Sequence, residues 1–132
     1  MNVVDSSIIA KYILREEGWE QVRKYLEEGA LTFKIAIKEA LNALWKRVVM
    51  KEIESNYAFQ VAKILLKHPI VKFEPQDPYL PDAFRIATAR KITVYDALFI
   101  ALAKRHNSKL ITSDRKQADV AEIENVEVIY IP

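Results

Sequence analysis

Two carboxylates in this sequence stand directly behind short apolar runs that are typical of buried strands. Asp5 follows "NVV" near the amino terminus, and Asp114 follows "KLITS" late in the chain. One such acid is readily explained as a helix cap. Two acids at equivalent points of two strands instead indicate a site, because ligands of parallel sheets gather at the carboxyl ends of the strands.

Two further acids lie in segments that read as helices. Asp96 stands in "VYDALFIALA", at the start of an apolar helix whose dipole favours a negative charge there. Glu39 stands in "IAIKEALNAL" and falls off the apolar stripe formed by Ile37, Leu41 and Leu44. The residues that share its face are small, so the helix can pack closely and leave room for the carboxylate: Ala36, Ala40 and Ala43.

A cluster of four carboxylates needs a cation, because clustered acids repel one another and raise one another's pKa. An all-oxygen ligand set suits Mg²⁺ or Mn²⁺. Such ions activate water against a phosphodiester and neutralise charge on the leaving oxygen. The acids therefore predict a metal-dependent phosphoryl hydrolase without naming its substrate. Taken singly, each acid is better explained by a helix cap or by a solvent-facing surface, and only the four together favour a site.

The composition excludes several other chemistries. The chain has no cysteine, so thiol catalysis and disulfides are absent. With only Gly18 and Gly29, it contains neither a P-loop nor a GxGxxG fingerprint. His68 and His106 read as residues at helix ends, which disfavours a Ser-His-Asp triad. Ser7 stands where a haloacid-dehalogenase-type phosphatase would need a second acid.

The length and the net charge limit the number of domains and the partners that the chain could have. We expect residues 1–132 to form a single domain, with no membrane span and no export signal, and therefore a cytoplasmic protein. The net charge of +2 is too balanced to establish nucleic-acid binding by itself. Six basic residues could line the acidic cleft and hold phosphates, although a solvated surface explains each equally well: Lys11, Arg15, Lys34, Lys38, Arg115 and Lys116.

Strand-like and helix-like segments alternate along the chain, which predicts an α/β fold with a parallel sheet covered on both faces. The predicted strands contain Val3 and Val4, then residues 30–33, 70–73, 109–112 and 126–131. The predicted helices cover residues 6–14, 19–28, 35–49, 54–68, 79–90, about 93–106 and 115–121. On the sixth helix the apolar stripe contains Tyr95 and Phe99. Core is the default position for three aromatic residues of the third and fourth helices, which could otherwise cover a dimer or partner surface: Trp45, Tyr57 and Phe59.

The order of these motifs resembles the PIN domain, and more narrowly the VapC toxin ribonucleases of prokaryotic toxin–antitoxin pairs. The motifs are "VVDSS", then "IKEALNAL", then "ITVYDALFIALA", then "LITSDRK", and they span nearly the whole chain. The resemblance implies a three-layer α/β/α sandwich around a parallel sheet. It also implies an endoribonuclease that depends on Mg²⁺ or Mn²⁺ and acts on RNA, a VapB-type antitoxin that inhibits it, and a homodimer.

The resemblance also assigns roles to residues of this chain. Asp5, Glu39, Asp96 and Asp114 match the acidic quartet that binds metal and positions the attacking water. Hydroxyl residues that orient these acids match Ser6, Thr112 and Ser113. Two rival interpretations remain open at this point. One is a metal-dependent phosphatase or DNA nuclease that uses the same acids, and the other is a PIN-fold binding module without turnover.

Overall fold

A computed structural model describes residues 1–67 and 71–132 of the chain. Its strands are three residues each: β1 Asn2–Val4, β2 Ala30–Thr32, β3 Val71–Phe73, β4 Leu110–Thr112 and β5 Val128–Tyr130. Its α-helices are α1 Ser6–Leu14, α2 Trp19–Glu27, α3 Lys34–Val49, α4 Ser55–Ile64, α5 Leu80–Arg90, α6 Val94–Arg105 and α7 Arg115–Ile123. Two short 3₁₀ helices span Leu65–Lys67 and Asp77–Tyr79.

The strands form one all-parallel sheet with the order β3-β2-β1-β4-β5, flanked by the helices. This is the predicted three-layer α/β/α sandwich. The strand order reverses at β1, which lies between β2 and β4. Val4 pairs with Ile111, so the residues that follow these two partners, Asp5 and Thr112, are brought side by side at the carboxyl ends of β1 and β4.

Three helices begin at polar residues that cap their first turns. The side chain of Asp5 accepts a hydrogen bond from the backbone N–H of Ile8, and that of Asp114 accepts one from Gln117. Thr93, rather than Asp96, caps α6, because its hydroxyl accepts from the Asp96 N–H. Capping therefore accounts for part of the placement of Asp5 and Asp114 and does not account for Asp96.

The hydrophobic core is centred on α6. Every residue from Ala97 to Ala103 is at most 2% exposed, so the middle of this helix is buried on all sides. It packs against α5 and β1, while α1 packs against α3. Phe33, at the end of β2, contacts Phe99 with ring centroids 5.7 Å apart.

Several details differ from the sequence-based expectations. Tyr95 is exposed and does not belong to the buried part of α6. The expected core positions of three aromatic residues are wrong, since the exposed fractions are 59% for Trp45, 46% for Tyr57 and 62% for Phe59. The predicted fourth helix ends as an α-helix at Ile64. The predicted fourth helix included His68 and the predicted third strand included Ile70, and both residues lie outside the described ones, as does Pro69 between them.

Candidate functional site

Asp5 is a buried carboxylate held by hydroxyl groups. The hydroxyl of Ser7 donates to its Oδ1 at 2.5 Å, and that of Thr112 donates to its Oδ2 at 2.5 Å. The Ile8 N–H donates to Oδ1 at 3.2 Å. Burial, with a smaller contribution from the neighbouring charge of Asp114, nevertheless raises the pKa of Asp5 to about 6 against the lowering effect of these three donors.

Thr112 joins Asp5 to the next acid in the site. Its hydroxyl oxygen accepts a hydrogen bond from the Asp114 N–H at 3.0 Å, and its O–H donates a hydrogen bond to Asp5. The Ser7 hydroxyl oxygen accepts in the same way from the Ser113 N–H at 2.9 Å. Residues from the first turn of α1 and from the end of β4 thus form one hydrogen-bonded network, and Asp114 stands exposed at its edge.

Glu39 and Asp96 are half-buried and reach the site from α3 and α6. Burial raises the pKa of Glu39, the hydroxyl of Ser6 donates a hydrogen bond that lowers it, and the charge of Asp96 raises it again. Burial also raises the pKa of Asp96, and the charge of Asp114 adds to this effect. Thr93 and the ammonium of Lys116 act in the opposite direction on Asp96.

The four acids are therefore linked to one another by pairwise electrostatic repulsion. Asp5 is coupled to Asp114, Asp114 to Asp96, and Asp96 to Glu39. They come from four different elements of the fold, namely the ends of β1 and β4 and the helices α3 and α6. Ionised carboxylates that raise one another's pKa repel one another, so the site favours a bound cation or a proton.

Residues of the site also carry unpaired buried oxygens. In residues 1–67 and 71–132, four buried side-chain polar atoms lack a hydrogen-bond partner. Three of them are oxygens at this site: Glu39 Oε1, Ser113 Oγ and Gln117 Oε1. The fourth, Arg47 Nε, is ion-paired with Glu52. An oxygen-only set with unpaired acceptors matches the ligand preference of Mg²⁺ and Mn²⁺.

The fit to a cation concerns the type of donor rather than a finished coordination shell. Within the described ranges, no group of three or more His, Cys, Asp or Glu side chains stands in an arrangement that could hold a metal ion. The donors that the site offers are nevertheless all oxygen atoms, which are the ligands that Mg²⁺ and Mn²⁺ prefer. The residues thus fit a hard divalent cation by their chemistry.

Two residues of the network were missed by the sequence analysis. Ser7 was considered only as the wrong residue for a different phosphatase, yet it donates to Asp5. Gln117 donates through its side-chain amide to the Asp96 carbonyl oxygen at 3.0 Å. Asp5 and Ser7 are only two residues apart, so a contact between their side chains is within local reach. The Gln117 contact links residues 21 positions apart, and no local sequence pattern predicts it.

The predicted basic residues behave differently from one another. Lys11 is buried, and its ammonium donates to the carbonyl oxygens of Glu17 and Pro132 at 3.0 and 3.1 Å. The Arg15 guanidinium lies over the Tyr12 ring, 4.5 Å from its centroid. Neither is placed to hold RNA phosphates. Lys116 is exposed, and its charge acts on Asp96.

Comparison with known families decides what kind of domain this is. The model of the PIN domain matches residues 3–123. The chain belongs to the PIN-domain family. Within the family it is of the VapC type, since it is 34% identical over 122 residues to "Ribonuclease VapC3" from Pyrobaculum aerophilum, covering 89% of this chain and 92% of that protein. It is also 30% identical over 115 residues to "Exonuclease VapC9" of the same organism, covering 86% and 80%.

Solved structures share the architecture of this PIN domain. PAE2754 from Pyrobaculum aerophilum superposes with a TM-score of 0.69 at 24% identity, over 90% of this chain and 83% of that one. FitAcB from Neisseria gonorrhoeae superposes with a TM-score of 0.57 at 20% identity, over 98% and 96%. At these identities the likeness supports the fold alone. Across the described part of the chain, we find no helix with the length and apolar character needed to cross a bilayer.

Proposed function

We propose that residues 1–132 form a single PIN domain that acts as a VapC-type endoribonuclease and hydrolyses RNA phosphodiester bonds with Mg²⁺ or Mn²⁺. The observation that carries the proposal is the electrostatic coupling of the four acids from four elements. The relative named "Ribonuclease VapC3", of which this chain covers nearly the whole length, supports RNA as the substrate.

The residues of the site divide into proposed ligands of the cation and residues that orient these ligands by hydrogen bonds. Asp5, Asp96 and Asp114 would ligate the cation, and Glu39 would complete the site directly or through water. Ser7 and Thr112 orient Asp5 by hydrogen bonds, and the Ser6 hydroxyl orients Glu39, as proposed from the sequence for Thr112 and Ser6. The hydroxyl of Ser113 has no hydrogen-bond partner, whereas the backbone N–H of Ser113 donates to the Ser7 hydroxyl.

A divalent cation at this site supplies charge neutralisation at the leaving oxygen and a more acidic water. The chain itself supplies the fixed geometry, because the Asp5 carboxylate is buried with three donors and its position is set by the pairing of β1 with β4. Lys116 is the predicted basic residue whose charge reaches the acids, and we assign it to an RNA phosphate next to the cleaved bond.

A second candidate activity is exonucleolytic cleavage, favoured by the relative named "Exonuclease VapC9". A circular RNA separates the two activities, because it has no end for an exonuclease to attack. The purified protein is incubated with circular and linear labelled RNA, with single-stranded DNA and with a phosphomonoester, each with Mg²⁺, Mn²⁺ or EDTA. We expect metal-dependent cleavage of the circular RNA.

The matched variants are Asp5→Asn and Asp82→Asn. Asp82 lies exposed in the first turn of α5 and pairs with Arg105, outside the acidic site. We expect Asp5→Asn to abolish cleavage and Asp82→Asn to retain it. Cleavage of linear RNA alone would favour the exonuclease, and cleavage of DNA or the monoester alone would favour the other hydrolase classes. Full activity of Asp5→Asn would remove the acidic site from the reaction.

Partners form a further part of the proposal. A VapB-type antitoxin is expected from the VapC relatives, and both proteins would meet in the cytoplasm. Exposed Trp45 and Phe59 line a groove of about 300 Å³ between α3 and α4, together with apolar residues such as Leu41, Val48 and Ala62. We assign this groove to an apolar segment of the antitoxin.

We also propose that the protein is a homodimer that leaves the α3–α4 groove open. Trp19→Phe leaves Trp45 as the single tryptophan and makes its emission a reporter of this groove. Analytical sedimentation measures the oligomeric state and tests the dimer. If the dimer interface lies elsewhere, dilution through the monomer–dimer transition should leave the emission of Trp45 unchanged. A co-expressed VapB-type protein should shift it to the blue. A blue shift on self-association would assign the groove to a second copy instead.

A further inference from the structure

Gln117 is a polar residue on the buried face of α7. The other buried residues of this helix are apolar, namely Ala118, Val120 and Ala121, whereas Gln117 is only 2% exposed. A buried amide costs free energy unless its polar atoms find partners. An aliphatic side chain would fill this position without that cost, so packing alone does not explain the glutamine.

The contacts of Gln117 join two of the four acids. Its backbone N–H donates to Asp114 Oδ1 at 3.2 Å, and its side-chain Nε2 donates to the Asp96 carbonyl oxygen at 3.0 Å. The first bond is an ordinary helix cap, which any residue except proline could donate. The second depends on the amide side chain and ties the first turn of α7 to the first turn of α6.

The orientation of the amide leaves an acceptor unpaired. Because the Asp96 carbonyl oxygen can only accept, the Nε2 atom must face it, and exchanging the two amide atoms would bring two acceptors together. The Oε1 atom is therefore fixed on the other side, where it is buried without a hydrogen-bond partner. The unpaired Glu39 Oε1 and Ser113 Oγ belong to the same site.

From these contacts we infer that Gln117 is a positioning residue of the acidic site. Its Nε2 fixes Asp96 relative to Asp114, and its Oε1 accepts a hydrogen bond from a water molecule that becomes ordered when a divalent cation is bound. The inference rests on the proposed function. Loss of an outer partner of this kind typically lowers metal affinity 10–100-fold.

The test measures Mn²⁺ affinity by calorimetry in the absence of RNA, for the wild type and two variants. Gln117→Met keeps the length of the side chain and removes both polar atoms. Val120→Ala is the matched control, since it weakens the packing of the same helix from a buried position that contacts none of the acids through a hydrogen bond. We expect the affinity to fall at least tenfold in Gln117→Met and to remain within twofold in Val120→Ala.

A second measurement uses the unaltered protein. On titration with Mg²⁺, the side-chain NH₂ signals of Gln117 in ¹H–¹⁵N NMR spectra should shift together with the backbone signals of Asp96. If these NH₂ signals do not move, the inference is wrong, even where Gln117→Met fails to fold. An unchanged Mn²⁺ affinity in a folded Gln117→Met also overturns it and leaves the ribonuclease proposal standing. A wild type that binds no Mn²⁺ removes the metal site and this inference together.

Discussion

The buried carboxylate of Asp5 should make the metal-free protein less stable at neutral pH than its Asp5→Asn variant. Burial raises the pKa of Asp5 from 3.8 to about 6. At 1.36 kcal/mol for each unit of pKa, this corresponds to about 3 kcal/mol of stability lost by ionising the folded protein. An asparagine keeps one acceptor oxygen and avoids the buried charge, so we expect Asp5→Asn to gain roughly 1–3 kcal/mol at pH 7.

The sign of the pH dependence follows from the direction of this shift. Between pH 3.8 and about 6, the folded protein holds a proton on Asp5 that the unfolded chain has released. The free energy of unfolding contributed by Asp5 therefore falls as the pH rises through this window. The advantage of Asp5→Asn over the wild type should be small near pH 4, grow up to about pH 6 and stay constant above it.

Urea unfolding in EDTA at several pH values measures this difference directly. In thermal unfolding, it corresponds to roughly 3–4 °C for each kcal/mol in a domain of this size. Mn²⁺ at 100 times its dissociation constant should stabilise the wild type by about 2.7 kcal/mol and leave Asp5→Asn unaffected, which removes the advantage of the variant. Asp82→Asn serves as the exposed control. A difference between Asp5→Asn and the wild type that does not change from pH 4 to pH 7 would refute the reasoning.

Two further predictions concern polar groups that hold the fold. Thr112→Val removes the hydroxyl that donates to Asp5, and we expect the free energy of unfolding at pH 7 to fall by about 1–3 kcal/mol in urea unfolding. Thr112→Ser keeps the hydroxyl and should remain close to the wild type. Equal losses in both variants would show that the methyl group of Thr112 matters instead. Lys104→Met removes one of the two donors that lie 2.8 Å from the buried Glu124 carboxylate and leaves Arg90 as the other, and we expect the free energy of unfolding to fall by about 1.5–3 kcal/mol. Lys109→Met breaks only an exposed ion pair and should change stability by less than about 0.5 kcal/mol, so a similar effect of both substitutions would contradict the role of burial.

The parallel sheet was predictable because alternating strands and helices admit few arrangements. The apolar segments around Val3, Ile111 and Phe99 predicted buried elements in the right order, and the structure confirms the three-layer architecture. Asp5 and Asp114 could be chosen because strand ends meet at one edge of such a sheet. Asp96 was chosen because it begins an apolar helix, and Glu39 because it shares a helix face with small residues. Their assignment as metal ligands stays a prediction.

Contacts between distant residues could not be predicted from the sequence. The hydroxyl of Ser7 lies 3.3 Å from that of Thr112, 105 positions away, and the position of Gln117 beside Asp96 depends on how α6 and α7 pack. The exposure of Trp45 and Phe59 was missed for another reason. Helical periodicity indicates which residues share a face, and it does not indicate whether the same chain covers that face.

The burial of the middle of α6, from Ala97 to Ala103, has a consequence for the dynamics of the site. No residue from Ala97 to Ala103 has a side exposed to solvent, so local opening of this helix would expose the centre of the core. Its amide protons should therefore exchange with solvent only through global unfolding. Asp96, in the first turn of this helix, is attached to the most protected segment of the chain.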